Sequence, residues 1–243
     1  MYDASAALQA IDSSAPSIMA CLLITAAFAF LYFFIALKLA ARQKVYVVPF
    51  IPTALFFWHD LSFVLLYDRW FHVFNHWWVK MWWFALVGTV FLELALLYQV
   101  YRYGQKELWP GLSKRTFGLL IVLATLGIGA LWLLVKASIN DDLFFITFAI
   151  TAVFSVPFHS ALMSRRQSRQ GQSVVMQLCA IIMLLSMTAA FAQISPFFST
   201  PTYQMFVLAF CLWPLANIWL MSRLPATSRK SLGDAKGAVL LRP

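Results

Sequence analysis

Two carboxyl side chains stand where carboxyls are costly. Asp60 lies within PFIPTALFFWHDLSFVLLYD (49–68) and Glu93 within VGTVFLELALLYQVYRYG (87–104), both in stretches apolar enough to cross a bilayer. A charged group at mid-membrane costs at least about 2.5–3.5 kcal/mol, so such residues face the protein interior and serve function. No Lys or Arg falls deep in any apolar run to pair with them. An uncharged carboxyl in such a place can donate a proton or a hydrogen bond. Asp60 and Glu93 are therefore candidate general acids, with His59 as a third catalytic candidate able to return a proton. His59 adjoins Asp60 in sequence but points about 100° away around a helix, so it is not an automatic partner. Centred on their runs, Asp60 lies somewhat toward one membrane face and Glu93 toward the other, so they need not touch; both could line one cavity at different depths, and the sequence does not decide whether they share it. A carboxyl merely hydrogen-bonded across helices is the competing reading of each.

Around Asp60 the aromatic density is high: Trp58, Trp70, Trp77, Trp78, Trp82 and Trp83 fall within 28 residues. Trp70, Trp77 and Trp78 fit the indole belt of a bilayer interface. Trp58 and Trp82 do not, and with Phe57, Tyr98 and Asn217 they are candidate substrate-binding groups. Indole faces attract cations, by up to about 2 kcal/mol when desolvated. Such a pocket suits a reaction through a carbocation, and equally a carrier of an organic cation. Asp68, His72 and His76 recur every fourth residue, and two histidines with a carboxylate can hold a metal. They lie among boundary aromatics where polar residues are ordinary, and no metal is assigned. Cys21, Cys179 and Cys211 are scattered without metal or disulfide spacing, and no nucleotide motif is present, so no cofactor is expected. His159 reads as a helix-packing residue.

The elements that must position these groups are membrane helices. The 243 residues are 62% hydrophobic and only 11% charged, against about 25% charged in a soluble domain, and the mean hydropathy is +0.79. Seven runs approach the roughly 20 residues a span needs: 17–41, 45–67, 79–101, 115–136, 143–163, 173–195 and 203–222. The expectation is an all-α membrane protein of seven transmembrane helices over 17–223. An extracytoplasmic segment (1–16) precedes it and a flexible cytoplasmic tail (224–243) follows. The net charge of +9 at first suggests nucleic acid. Fifteen of the 18 basic residues, however, fall in alternate loops and the tail, and only Arg69, Lys80 and Lys136 on the other side. By the positive-inside rule the N-terminus is outside and the C-terminus cytoplasmic; nucleic acid is excluded as a partner. The N-terminus lacks a basic leader region and does not read as a cleaved signal peptide. A bacterial inner membrane or endoplasmic reticulum would suit the chain equally, and a homo-oligomer is left open.

ARQKVYVVP (41–49) and RRQSRQGQSVVMQ (165–177) are alike, each a basic turn leading into Val-Val. This suggests a 3+1+3 pseudo-repeat, a layout that puts the functional cavity between the halves near the midplane. Pro49, Pro52 and Pro214 are expected kinks, and Gly88, Gly118, Gly127 and Gly129 expected points of close helix approach.

Residues 46–68, YVVPFIPTALFFWHDLSFVLLYD, resemble the second helix of the small membrane-integral terpene cyclases of fungal meroterpenoid and indole-diterpene pathways. Their version has a proline followed by an Asn-Phe-Ala-Trp-Glu-like sequence. Asp60 matches the glutamate, while Trp58 is displaced by one position. Residues 164–187 are similar to that family's Arg-Gly-Ser-x-Arg-Gly-x-Ser turn and the helix after it, and 87–104 occupy the place of its third helix. The resemblance implies protonation of an epoxide or alkene by two acids, one on helix 2 and one on helix 7. Helix 7 here has no acid, and Asn217 is its only strongly polar side chain within the span. The family's fold itself looks like that of PQ-loop transporters, so fold alone does not decide function.

The first expectation is therefore a cofactor-independent terpene cyclase or isomerase (a lyase-type enzyme of terpenoid biosynthesis). It would act on a lipophilic substrate by carboxylic-acid protonation in an aromatic-lined pocket. The alternatives are a PQ-loop-like small-molecule transporter with a proton-coupled acidic site, and an accessory subunit whose buried acids are structural.

Overall fold

The structure, a computed structural model, describes residues 2–227; most of the expected tail 224–243 lies outside the described residues. In chain order the helices are α1 (Ala4–Ser13), α2 (Ala15–Gln43), α3 (Phe50–Leu65), α4 (Trp77–Tyr103), α5 (Gln105–Leu108), α6 (Lys114–Ser138), α7 (Phe145–Arg166), α8 (Val174–Ile194) and α9 (Pro201–Arg223), with no strand among the described residues. Six of them, α2, α4, α6, α7, α8 and α9, are long and apolar enough to cross a membrane, which makes the chain a multi-pass membrane protein.

The expected span 45–67 is the exception. Helix α3 has 16 residues, about 24 Å at 1.5 Å per residue, short of a hydrocarbon core about 30 Å thick. Its start is set by Pro49, which is extended at φ −60°, ψ 152° and contributes no N–H. Pro52 falls in the first turn, where a missing N–H leaves nothing unpaired. These two prolines begin the helix rather than kink it; the prolines inside helices are Pro157 of α7 and Pro214 of α9. Val47 and Val48, apolar and ahead of α3, pack in protein against Ala36, Ala40 and Met176, which is why this stretch reads as membrane.

At its other end α3 stops at Leu65, and the chain makes a π-helical turn (Arg69–Val73) before α4. The last carbonyls of a helix need donors from elsewhere. Indoles supply them: Trp70 Nε1 donates to the Phe63 carbonyl at 2.6 Å and Trp83 Nε1 to that of Val64 at 2.9 Å. Trp132 of α6 donates to Ser62 Oγ at 2.9 Å, and Trp58 donates outward to the Thr125 carbonyl of α6 at 2.7 Å. Trp70 is accordingly buried, its ring stacked 4.2 Å from Phe63, and Trp78 is buried too. Of the three tryptophans expected at the bilayer boundary, Trp77 alone is exposed.

Helix α3 packs against α4, α6 and α7, while α2 lies along α8 and touches α4 only slightly. The α3–α6 contact is closest at Gly129, where a Cβ would run into the Trp58 indole; Gly88 and Gly127 face open space instead.

The loops sort into two faces. On the basic face, Arg165 and Arg166 pair with Glu107 of α5, each at 2.8 Å. Arg166 also donates to the Tyr46 carbonyl at 2.9 Å, and the Gly171 amide to Gln43 Oε1 at 2.7 Å. The two basic turns are thus bound to each other. Gly171 sits at φ +76°, a conformation glycine adopts freely.

On the opposite face the buried Asp141 carboxylate accepts from the Ile146 and Thr147 amides, capping α7, and from the Tyr2 hydroxyl. Burial, with Asp141 beside it, pushes the Tyr2 phenol well above its ordinary value, so it stays a donor. His76 caps α4 through the Trp78 amide and pairs with Asp12 at 3.1 Å, rather than joining Asp68 and His72. Among the described residues no three His, Cys, Asp or Glu side chains converge.

Replacing Gly129 with Leu is expected to destabilise the bundle by about 1–3 kcal/mol through overpacking against Trp58, read as a lower unfolding midpoint in detergent; an unchanged midpoint contradicts the close approach. The Trp77 indole and the His76 ring hold the Asp12 carboxyl below its ordinary range. A carboxyl lowered in the folded state stabilises above its unfolded pKa, and that contribution is lost as pH falls through the folded value. Amide exchange in α1 is therefore expected to rise on acidification through the carboxylate range, and Asp12→Asn to flatten that rise.

Candidate functional site

Helices α3 and α4 run antiparallel. Asp60 is ten residues from the basic-face end of α3 and Glu93 ten from that end of α4, about 15 Å for both. They lie level rather than at two depths, because α3 begins at Phe50 and not at 45. The carboxyls are neighbours and both line one cavity of about 100 Å³. Asp60 is 6% exposed and Glu93 2%.

Asp60 is anchored at both oxygens. Oδ1 is 2.7 Å from His59 Nδ1, and Oδ2 accepts from the Thr89 hydroxyl of α4. His59 thus does partner its sequence neighbour, although the two leave the helix in different directions. Its ring is held among Trp132, Phe144 and Phe148, with centroids 5.2, 5.6 and 5.8 Å away, so it stands behind Asp60 and does not line the cavity. Glu93 differs: its Oε2 is buried with no hydrogen-bond partner among the described residues.

The remaining walls are Ala26, Ala29, Phe30 and Phe33 of α2, Phe56 of α3, Trp82 and Ala85 of α4, and Phe148 and Ala152 of α7. Where α2 and α4 diverge, Ala26, Ala29, Phe30 and Ala85 keep exposure on the apolar flank of the bundle. At the far wall Tyr32 of α2 and Ser155 of α7 add hydroxyls 3.3 Å apart.

Of the expected binding residues, Trp82 lines the cavity, stacked on Trp78 and edge-on to Phe148. The others lie elsewhere. Trp58 points to α6, and Phe57 packs against it at 5.8 Å. Tyr98 is 59% exposed on the outer surface of α4. Asn217 is buried in a separate network, donating to the Val156 carbonyl and Gln177 Oε1 at 3.0 Å each and accepting from Ser160 at 2.5 Å. Helical spacing explains the difference. Residues four apart share a face, so Phe56 accompanies Asp60 and Thr89 accompanies Glu93, whereas Phe57, Trp58 and Tyr98 are rotated away. Sequence reasoning missed Phe56 and Thr89, and that spacing was the signal that would have found them. Tyr32, Ser155 and Phe148 come from helices distant in sequence and left no such signal.

Chemically, two adjacent carboxyls can share one proton, and the surrounding rings can stabilise a cation in a space with little water. Compared with known proteins, the chain matches no family, no curated protein and no solved structure.

Thr89→Val keeps shape and removes the hydroxyl from Asp60, with an expected cost on the order of 1 kcal/mol. The carboxyl stretching band assigned by Asp60→Asn should move in the infrared spectrum of the Thr89 variant; an unmoved band removes this hydrogen bond from the site.

Proposed function

We propose that the protein is an intramembrane isomerase or cyclase that protonates a lipophilic, epoxidised or unsaturated terpenoid-like substrate entering from the bilayer. The observation that carries this reading is the acid pair: Asp60 and Glu93 sit side by side in an aromatic-walled cavity among apolar helices. Glu93 Oε2 is buried without a hydrogen-bond partner among the described residues, and in this reading Glu93 delivers the proton while Asp60, gripped by His59 and Thr89, orients the pair. The proton held between them passes to an epoxide oxygen or alkene carbon. The C–O bond or π bond opens, a cation forms among Phe30, Phe33, Phe56 and Trp82, and a second alkene of the substrate can close on it. No cofactor takes part in this scheme. The likeness to membrane-integral terpene cyclases is compatible with it if Glu93 serves where those proteins use an acid on their last helix; Asn217, locked to Gln177, is not in reach. In this reading the basic face is cytoplasmic.

A second reading, a proton-coupled carrier, draws on the helix pairings. Contacts α3–α4 and α2–α4 are matched by α8–α9 and α7–α9, and α2–α8 by α3–α7. These pairings support a reading of the chain as two three-helix units with α6 as linker, the expected 3+1+3 layout.

With the full chain in lipid nanodiscs and epoxyfarnesol as probe, Asp60→Asn and Glu93→Gln are each expected to keep the fold and lower turnover at least about 100-fold. Undiminished product from either variant removes that carboxyl from the chemistry. Uptake of an organic cation into proteoliposomes that collapses with the pH gradient, with the epoxide untouched, favours the carrier.

A further inference from the structure

Across the cavity from the acids lies a second proton-handling pair. Tyr32 lines the cavity, and its hydroxyl is 2.8 Å from His159 Nε2 of α7. His159 is fully buried, and its Nδ1 has no hydrogen-bond partner among the described residues. Beside it lies Gln172, whose amide nitrogen and oxygen are likewise buried and unpartnered. The His159 ring therefore lies between the Tyr32 hydroxyl and the Gln172 amide, with no carboxylate on either nitrogen among the described residues. The nearest charged group, Arg166, is engaged by Glu107, and the other titratable group facing Tyr32 is Cys179.

We infer that Tyr32 and His159 are the base of this site, Tyr32 touching the substrate cation and His159 storing its proton. This rests on the isomerase reading. After the acids have generated a cation, a C–H bond beside it breaks and its electrons become the new alkene. The proton joins Tyr32 Oη as the proton of Tyr32 passes to His159 Nε2, giving an imidazolium whose Nδ1–H has the Gln172 carbonyl beside it. When product leaves and water enters, the proton returns by the same two steps to the carboxylate that lost one. The cycle closes with no co-reactant, and the product is an unsaturated isomer of the substrate rather than its hydrate. Two features are thereby explained together: a buried histidine without a carboxylate partner, and its hydrogen bond to a tyrosine that lines the cavity.

The test is product partition with epoxyfarnesol in nanodiscs, comparing wild type, Asp60→Asn, Tyr32→Phe and His159→Gln, each first shown monodisperse. Wild type should give the unsaturated isomer. Tyr32→Phe, which loses one oxygen, should shift the ratio of unsaturated isomer to hydrate at least about tenfold toward the water-captured hydrate. His159→Gln should do the same and decides the matter if Tyr32→Phe does not fold. Asp60→Asn should lose both products. A wild-type ratio in the Tyr32 and His159 variants overturns the base assignment while leaving the isomerase intact, as does equal loss of both products. No consumption by wild type removes the isomerase reading, and this one with it.

Discussion

A helix that ends inside a membrane leaves carbonyls facing hydrocarbon, where each unpaired group costs several kcal/mol. Helix α3 is such a helix, and much of the surrounding structure answers that cost. Tryptophan suits this role because its indole is a donor with no acceptor to satisfy in turn, on a body that is otherwise apolar. Trp70 and Trp83 cover the Phe63 and Val64 carbonyls, while Trp58 and Trp132 bind α3 to α6. The indole density around Asp60 is thus largely hydrogen-bond accounting for a helix of 16 residues.

The same shortness determines the site. Because Pro49 delays the start of α3, Asp60 comes level with Glu93 instead of passing it. Because α3 is fastened to α6 and packed on α7, the ring of His59 is wedged among Trp132, Phe144 and Phe148, and Asp60 is held from behind. Helix α2, drawn along α8, touches α4 only slightly, and the cavity lies among α2, α3, α4 and α7. The hydrogen-bonded Asp60 and the unpartnered, buried Glu93 Oε2 follow from one packing arrangement.

How much of this was legible before the fold was known varies by physical cause. Helix number and the sorting of basic residues follow from burial in lipid, which acts on each residue by itself, and both could be read to within the short helix α3. Asp60 and Glu93 stood out because ionisable groups are expensive in hydrocarbon. Hydropathy misjudged the start of α3, since Tyr46, Val47 and Val48 are apolar for contact with protein and not with lipid. The roles of Trp70 and Trp58 were hidden because an indole at a bilayer boundary and an indole bonded to a helix carbonyl have the same composition. The Tyr32–His159 contact joins residues 127 apart, and no local pattern encodes it.

Glu93 and Asn217 are each the seventeenth residue of their helix, and each meets a polar side chain of the helix before it. The consequences diverge because of chemistry. Asn217 and Gln177 are amides, with donors and acceptors that satisfy one another and the Val156 carbonyl, so their corner is closed and inert. Asp60 and Glu93 have only acceptors unless a proton is supplied, so their corner stays incomplete. A carrier that rocks two similar halves about a central site would draw on both corners. The α3–α4 corner holds a carboxyl pair and the α8–α9 corner a self-satisfied amide pair, an asymmetry that weighs toward the proposed chemistry at a fixed place rather than alternating access.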